Sequence, residues 1–271
     1  MPEPTEVSPE QLINLIGRPD CPAIVDVSTN GDVDEDPFLI PTAFRHSHTD
    51  ATGLADRLAG RASIIVCQRG RKLSQGIAAW LRSEGVSARY LRGGNYGWRA
   101  VSGAPRIPIA TMNVQADGRS FWTAEHRPDL ETLAVLWLIR RFVDRKARIL
   151  FVNPSEVEGA AERLGAIALS HTTPSPLHGS KSAPLLKALA HFHLWSPSLD
   201  LVAQAVEYAA RSNTPHGSET PGLQTLYIGL LRQHHEDQDL LDGMLPILDA
   251  LYLWAGMPSD PTCAHQSSCT Q

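Results

Sequence analysis

The sequence predicts an α/β protein in which a small domain with a doubly wound parallel sheet precedes a mostly helical second domain with a few short strands. Three observations favour this fold class. Apolar strand-like runs alternate with helix-like segments over about the first hundred residues, which is the order that builds a parallel sheet. A stretch rich in Pro and Gly, without helical periodicity, follows at residues 101–120. Segments with helical periodicity dominate the remainder.

Strands and helices alternate in the first domain. Ser8 is a suitable N-cap for a helix at residues 9–16, and Ser74 for a helix at residues 74–82. The other expected segments are a strand at residues 23–27, an acidic loop at 30–37, a short helix at 53–58, and strands at 62–67 and 88–92.

The second domain is predicted to open with a helix at residues 129–143, with Pro128 near its start. One face of that helix carries apolar residues, namely Leu130, Leu133, Ala134, Trp137, Leu138 and Phe142. Short strands are expected at residues 148–152 and 166–169, and helices at 183–193, 199–211, 223–234 and 239–253.

A length of 271 residues favours two domains. The boundaries are predicted as a first domain at residues 1–104, a linker at 105–120, a second domain at 121–257 and a mobile tail at 258–271.

Cys67 is the residue most informative about function. It ends an apolar strand-like run and precedes a short basic loop before the predicted helix, and the loop consists of Gln68, Arg69, Gly70, Arg71, Lys72 and Leu73. Loop amides, a helix N-terminus and nearby cations stabilise a thiolate, and Gly70 lets the loop curl. The alternative is a small buried hydrophobic residue at a strand end. Three cations within five residues favour the reactive thiol.

Several motifs in about the first hundred residues resemble the rhodanese-like family. They are Val25-Asp26-Val27, Ile40-Pro41-Thr42-Ala43, the Cys67 loop, and Leu91-Arg92-Gly93-Gly94 followed by Trp98. The resemblance implies that Cys67 takes a sulfane sulfur from a donor, holds it as a persulfide and passes it to an acceptor, with residues 68–73 as the cradle. The sequence departs from the family pattern at Ser28, where an arginine is common, and at Thr42, where glycine is usual.

The second half resembles the C-terminal domain of bacterial chromate-resistance proteins over about residues 121–255. The resemblance rests on Arg127-Pro128, residues 137–144, Phe151-Val152 and residues 248–254. It implies a polar site, to which Glu131 and His178 correspond. The later family acids are missing, so we expect no metal. Glu131 is otherwise a first-turn acid that complements the helix dipole, and His178 a loop residue.

Cofactor and metal sites are not predicted elsewhere either. Cys263, His265 and Cys269 in the tail offer three soft ligands without a helix or hairpin to orient them. Four cysteines are too few for a disulfide framework, and no signal peptide or span of about 20 apolar residues is visible. We therefore expect cytoplasmic residence and no membrane association. A net charge of −5 and a pI near 6.1 give no general attraction for nucleic acid.

Two classes of function remain open. The first is a sulfurtransferase linked to chromate or oxyanion stress, whose partners are a small anionic sulfur donor and a thiol or cyanide acceptor. The second is a non-catalytic sensor of an oxyanion or persulfide that acts through the helical domain. A phosphatase is a minor third class, because the position where an arginine would grip phosphate holds Leu73.

Overall fold

The computed structural model describes residues 5–115, 118–170, 184–211 and 221–257. The elements of the first half are, in chain order, β1 (Glu6–Val7), α1 (Pro9–Ile13), β2 (Ala23–Asp26), α2 (Asn30–Glu35), β3 (Phe38–Leu39), β4 (Phe44–Arg45), α3 (Ala51–Leu58), β5 (Ser63–Val66), α4 (Lys72–Ser83), β6 (Ala88–Leu91), α5 (Gly94–Ala100) and β7 (Ile107–Pro108). Five strands form a parallel sheet in the order β1-β6-β5-β2-β4. The predicted α/β class is confirmed.

Two helix starts differ from the prediction. The acidic stretch expected as a loop forms α2, because Thr29 and Asp32 make a reciprocal capping box. α4 begins at Lys72, so Ser74 lies inside the helix and does not cap it. The expected cap at Ser8 is confirmed, since its side chain accepts a hydrogen bond from the Gln11 amide.

The stretch predicted as an irregular linker contains regular structure. β7 pairs antiparallel with β3, and a short 3₁₀ turn at Ile109–Thr111 follows. Ile107 and Met112 are buried. Apolar side chains and backbone pairing therefore hold this segment against the first half, which its Pro and Gly content did not reveal.

The second half combines a small parallel sheet with helices. Its elements are β8 (Phe121–Glu125), α6 (Leu130–Leu138) continued by a π-helical turn (Ile139–Val143), β9 (Arg148–Val152), a 3₁₀ turn (Pro154–Glu156), α7 (Val157–Leu164), β10 (Ile167–Leu169), α8 (Pro184–His191), α9 (Pro197–Arg211), α10 (Pro221–Gln233) and α11 (Asp237–Ala255). The strand order is β10-β8-β9, all parallel. β8 and α7 were not predicted. α6 is buried on all sides, so the predicted single apolar face understates its burial.

The two halves share a hydrophobic core. Side chains on one face of the first sheet, such as Ile24 and Ile64, belong to the same buried cluster as Trp137 and Leu248. The opposite face, with Val25 and other apolar residues, packs against the helices α3 and α4. Backbone contact reinforces the junction, because the Thr42 amide donates to the Phe142 carbonyl at 2.7 Å. Within the described ranges, no helix combines the length and apolar character needed to cross a bilayer.

Candidate active site

Cys67 lies at the carboxyl end of β5, the middle strand of the five-stranded sheet. Ligands of open parallel sheets bind at this edge. Cys67 is 5% exposed, so the residue is buried and is not partly exposed as the pattern of charges suggested.

The loop after Cys67 is packed against the glycines that follow β6. Gly70 has φ +62° and Gly94 has φ +59°. A Cβ built on Gly70 would lie 2.4 Å from the Gly94 nitrogen, and one built on Gly94 would lie 1.9 Å from the Cys67 carbonyl oxygen. Both positions therefore require glycine for space and for conformation. The Gly93-Gly94 pair, recognised as a sequence motif, is thus the support of the cysteine loop.

The N-terminus of α5 holds the loop carbonyls in place. The Asn95 amide donates to the Cys67 carbonyl at 3.0 Å, and the Tyr96 amide donates to the Gln68 carbonyl at 3.0 Å. Helix amides that lack an intrahelical partner are satisfied in this way. The amides of residues 68–71 donate to no acceptor in the described part of the chain. They are available to an anion in the loop.

Ser74 is a site residue that the sequence did not reveal. The Cys67 Sγ donates a hydrogen bond to the Ser74 Oγ at 3.1 Å, and the Ser74 hydroxyl donates to the Arg71 carbonyl at 3.3 Å. Ser74 is fully buried. Its hydroxyl can turn to donate to the sulfur once the thiol has lost its proton. The start of α4 at Lys72, two residues earlier than predicted, brings Ser74 below the cysteine.

The predicted cradle residues surround the loop in different ways. Arg69, Arg71 and Lys72 are exposed, and Gly70 is buried. The Arg69 guanidinium lies 5.8 Å from the centre of the Tyr96 ring. Gln68 donates through its side-chain amide to the Glu35 carboxylate at 3.1 Å, and Leu73 is half-buried in the first turn of α4. The cations thus face solvent at the rim and do not contact the sulfur.

A buried carboxylate supports the neighbouring strand end. Asp26 accepts hydrogen bonds from the Ser28 amide at 2.8 Å and from the Asn95 side chain at 2.8 Å. Asn95 therefore links the end of β2 to the cysteine loop, because its backbone amide also binds the Cys67 carbonyl. Ser28, where the family often has arginine, is buried beside this pair.

A cavity of about 300 Å³ opens along the same edge of the sheet. Its described lining is polar and consists of Ser28, Thr29, Asn30, Arg45, His46, Ser47 and His48. The Arg45 side chain donates to the Asn30 side chain at 3.0 Å. His46 lies 3.3 Å from the Asp50 carboxylate. The cavity provides space for a polar molecule next to the end of β2.

The site expected in the second half is only partly covered by the structure. Glu131 lies in the first turn of α6, as predicted. His178, Cys263, His265 and Cys269 lie outside the described residues. Among the residues that are described, no group of three His, Cys, Asp or Glu side chains could hold a metal ion.

The acids and histidines that the second half does bring together form paired contacts. His126 Nδ1 lies 2.6 Å from the Asp237 carboxylate, which also accepts from the Arg127 amide at 2.9 Å. Asp249, in α11, accepts two hydrogen bonds from Arg141 and one from the Trp137 ring nitrogen. Both pairs tie α11 to the sheet or to α6.

The second half of the chain is similar in sequence to a known family. Residues 122–255 match the family model described as ChrB, C-terminal domain. No curated protein matches the chain.

Two solved structures are similar to part of the first half of the chain. One is SSP1007 from Staphylococcus saprophyticus, with 21% identity over 34% of this chain and 91% of that chain and a TM-score of 0.31. Another is a thiosulfate sulfurtransferase from Pseudomonas aeruginosa, with 20% identity over 39% of this chain and 19% of that chain and a TM-score of 0.33.

Proposed function

We propose that this chain, whose residues 122–255 match the ChrB C-terminal domain family model, is a sulfurtransferase. In this proposal Cys67 takes sulfane sulfur from an anionic donor such as thiosulfate and passes it to a thiol or to cyanide. The observation that carries the proposal is the buried cysteine at the end of the middle strand, under a loop whose amides at residues 68–71 have no acceptor within the described ranges. Localisation in the cytoplasm belongs to the same proposal.

The first step forms a persulfide. The Cys67 thiolate attacks the outer sulfur of thiosulfate, the sulfur–sulfur bond of the donor breaks, and sulfite leaves with the electron pair. The terminal sulfur of the Cys67 persulfide then carries a negative charge. Loop amides and the N-terminus of α4 stabilise that charge, because their dipoles already point toward the loop.

The second step returns the cysteine to its starting state. An acceptor thiolate attacks the terminal sulfur of the persulfide, the bond between the two persulfide sulfurs breaks, and the Cys67 thiolate leaves. Cyanide reacts in the same way and gives thiocyanate. The burial of Cys67 restricts access to small donors and protects the persulfide from larger thiols.

Two groups have defined supporting roles in this cycle. Ser74 stabilises the thiolate by donating its hydroxyl proton to the sulfur, after rotating away from the Arg71 carbonyl. The exposed cations Arg69, Arg71 and Lys72 attract a dianionic donor to the rim of the loop.

A sensor without turnover is the second candidate, and one observation favours it. α5 holds the cysteine loop through the Asn95 and Tyr96 amides, and Trp98 in the same helix is buried in the core shared with the second half. A change of charge in the loop can therefore be transmitted to the ChrB-type half through the packed side chains of this core. A chromate-related role of the whole chain fits this candidate as well as the enzyme.

Assay of the purified full chain with thiosulfate and cyanide distinguishes the candidates. The enzyme is expected to form thiocyanate over many turnovers, and Cys67→Ser is expected to form none. Cys21→Ser is the matched control, because Cys21 is equally buried but lies outside the loop. If Cys67 gains one sulfur atom but passes it to no acceptor, the result would favour the sensor. Full activity of Cys67→Ser would overturn both.

A further inference from the structure

A second cavity, of about 270 Å³, lies between the two halves of the chain. It is bordered by the edge strand β4 and the end of α3 on one side, and by the turn before β9 on the other. The segment after β7 forms a third wall through Ile109 and Met112. The Cys67 loop is not part of the lining, so this cavity is separate from the site of the proposed sulfur transfer.

The described lining of this cavity carries five cations and one acid. The cations are Arg45, Arg57, Arg61, Arg145 and Lys146, and the acid is Asp144. The Asp144 carboxylate is already engaged, because it accepts hydrogen bonds from the amide and hydroxyl of Ser120 and from the Lys146 amide. Among the described lining residues, cations therefore outnumber acids.

The cations around the cavity differ in the contacts that they already make with other residues. The Arg145 guanidinium donates to the carbonyls of Cys21 and Pro19, and the Arg57 guanidinium lies 4.0 Å from the centre of the Phe44 ring. Arg61 and Lys146 form no ion pair with any described residue. These two are the cations best able to bind an anion directly.

Thr42 lines the cavity, but its hydroxyl is enclosed. The residue is 6% exposed, and its Oγ1 is shielded and lies beside the Cys21 thiol. Its backbone has φ +65°, which is unfavourable for a β-branched residue. The hydroxyl is therefore not a contact for a molecule in the cavity.

Apart from Thr42, Gln115 and Gly118, the rest of the described lining is apolar. Leu39, Ala43, Ile109, Met112 and Val143 contribute side chains from both halves and from the segment between them. An inorganic oxyanion would leave these side chains uncovered. A ligand that fills the cavity therefore needs an apolar body as well as a charge.

We propose that this cavity binds a small organic anion, in which one carboxylate, sulfonate or phosphate meets Arg61 and Lys146 and an apolar body contacts the Ile109 and Met112 side. The volume of the cavity lies just below the usual range for ligand sites, about 300–1,000 Å³, which suits a single small molecule.

The electrostatics of Lys146 agree with this assignment. Burial lowers the pKa of its ammonium, and the neighbouring cations Arg61, Arg57 and Arg119 lower it further. An anion among these cations relieves their mutual repulsion.

Fluorescence titration of the full chain tests the proposal with three probes. Anilinonaphthalenesulfonate carries an anion on an apolar body, N-phenylnaphthylamine has a similar body without the charge, and sulfate has the charge without the body. We expect one equivalent of the sulfonate to bind and to raise the melting temperature. Sulfate is expected to protect far less, and the neutral amine to bind at least about tenfold more weakly. Equal binding of the neutral amine, or equal protection by sulfate, would overturn the proposed ligand class.

Variants locate the binding. Arg61→Gln and Lys146→Gln are each expected to weaken binding of the sulfonate about tenfold. Arg163→Gln is the matched control, because Arg163 is exposed and lies outside the lining. Melting curves without ligand verify that each variant folds. If Arg61→Gln and Lys146→Gln both bind as the control does, the cavity is not the site. Cys67→Ser is expected to bind normally, which separates this test from that of the sulfurtransferase.

Discussion

Gly94 lies so close to the Cys67 loop that a Cβ at its position would approach the Cys67 carbonyl oxygen to 1.9 Å. Its φ of +59° also disfavours any residue with a side chain. The backbone after β6 therefore fixes the cysteine loop through close contact, and the Asn95 amide bound to the same carbonyl strengthens that contact.

Gly94→Ala is expected to lower the free energy of unfolding by more than about 3 kcal/mol, because the new methyl group meets rigid backbone. Any sulfurtransferase activity should be lost together with the loop geometry. Urea unfolding measures the first effect. Gly76→Ala is the control, since Gly76 lies in α4 with no atom within 4 Å of a built Cβ, and it should stabilise by about 0.5–1 kcal/mol. A small decrease in the free energy of unfolding of Gly94→Ala would mean that the cysteine loop moves away from the new methyl group easily.

Ser74→Ala tests the hydroxyl beside the sulfur. A hydrogen bond to a charged group contributes about 1.5–3 kcal/mol, so removing the donor should slow alkylation of Cys67 by iodoacetamide about tenfold near neutral pH. Ser83→Ala is the matched control in the same helix, because its hydroxyl donates to the Trp80 carbonyl far from the loop. An unchanged alkylation rate in Ser74→Ala would show that loop amides alone stabilise the thiolate.

The fold of the first half could be read from the sequence because its signals are local. An apolar run ends in Cys67 and a helix follows it. This order alone places the thiol at the carboxyl edge of the parallel sheet. Ser74 was assigned the wrong role, since the prediction started α4 two residues late. β8 was missed because its partners β9 and β10 lie after it in the chain and its neighbours looked like a linker. The shared core and the cavity near Thr42 depend on packing between halves, which no local pattern encodes.

Removal of the loop cations tests their role in capturing the donor. The Arg69→Ala/Arg71→Ala/Lys72→Ala variant is expected to lower kcat/KM for thiosulfate and to weaken its dependence on salt. Exposed charges act over about 8 Å at physiological ionic strength, so the change should appear mainly in KM.

A charge control accompanies that measurement. Arg163→Ala/Arg232→Ala removes exposed cations remote in sequence from the loop and should leave both quantities nearly unchanged. If the loop variant keeps the efficiency and salt dependence of the original chain, Arg69, Arg71 and Lys72 are only solvated surface residues.

Cys21 makes stability sensitive to alkaline pH. Burial raises the pKa of its thiol in the folded protein, with partial compensation from the Arg145 guanidinium. The unfolded chain, with an ordinary thiol pKa of about 8.5, releases the proton first. This contribution to stability is therefore full below that pH and is lost as the pH rises through the higher folded-state value.

The comparison of the original chain with Cys21→Ala isolates this effect. The free energy of unfolding of the original chain should fall more steeply above about pH 8.5 than that of the variant. Cys67→Ala serves as a second reference that leaves Cys21 in place. Parallel pH profiles for the original chain and Cys21→Ala would contradict the expected raised pKa.

Asp249 holds the last helix to α6 through a buried charge pair. It accepts from Arg141 at 2.8 and 2.9 Å and from the Trp137 ring nitrogen at 2.8 Å, and it is nearly fully buried. Asp249→Ala leaves the Arg141 guanidinium without its counter-charge, so a loss of about 3–5 kcal/mol in unfolding free energy is expected. The double variant Arg141→Met/Asp249→Leu removes both charges and should regain much of that loss, because apolar packing often replaces a buried pair at little cost. A double variant as unstable as the single one would show that the pair specifies the position of α11 in a way that packing cannot replace.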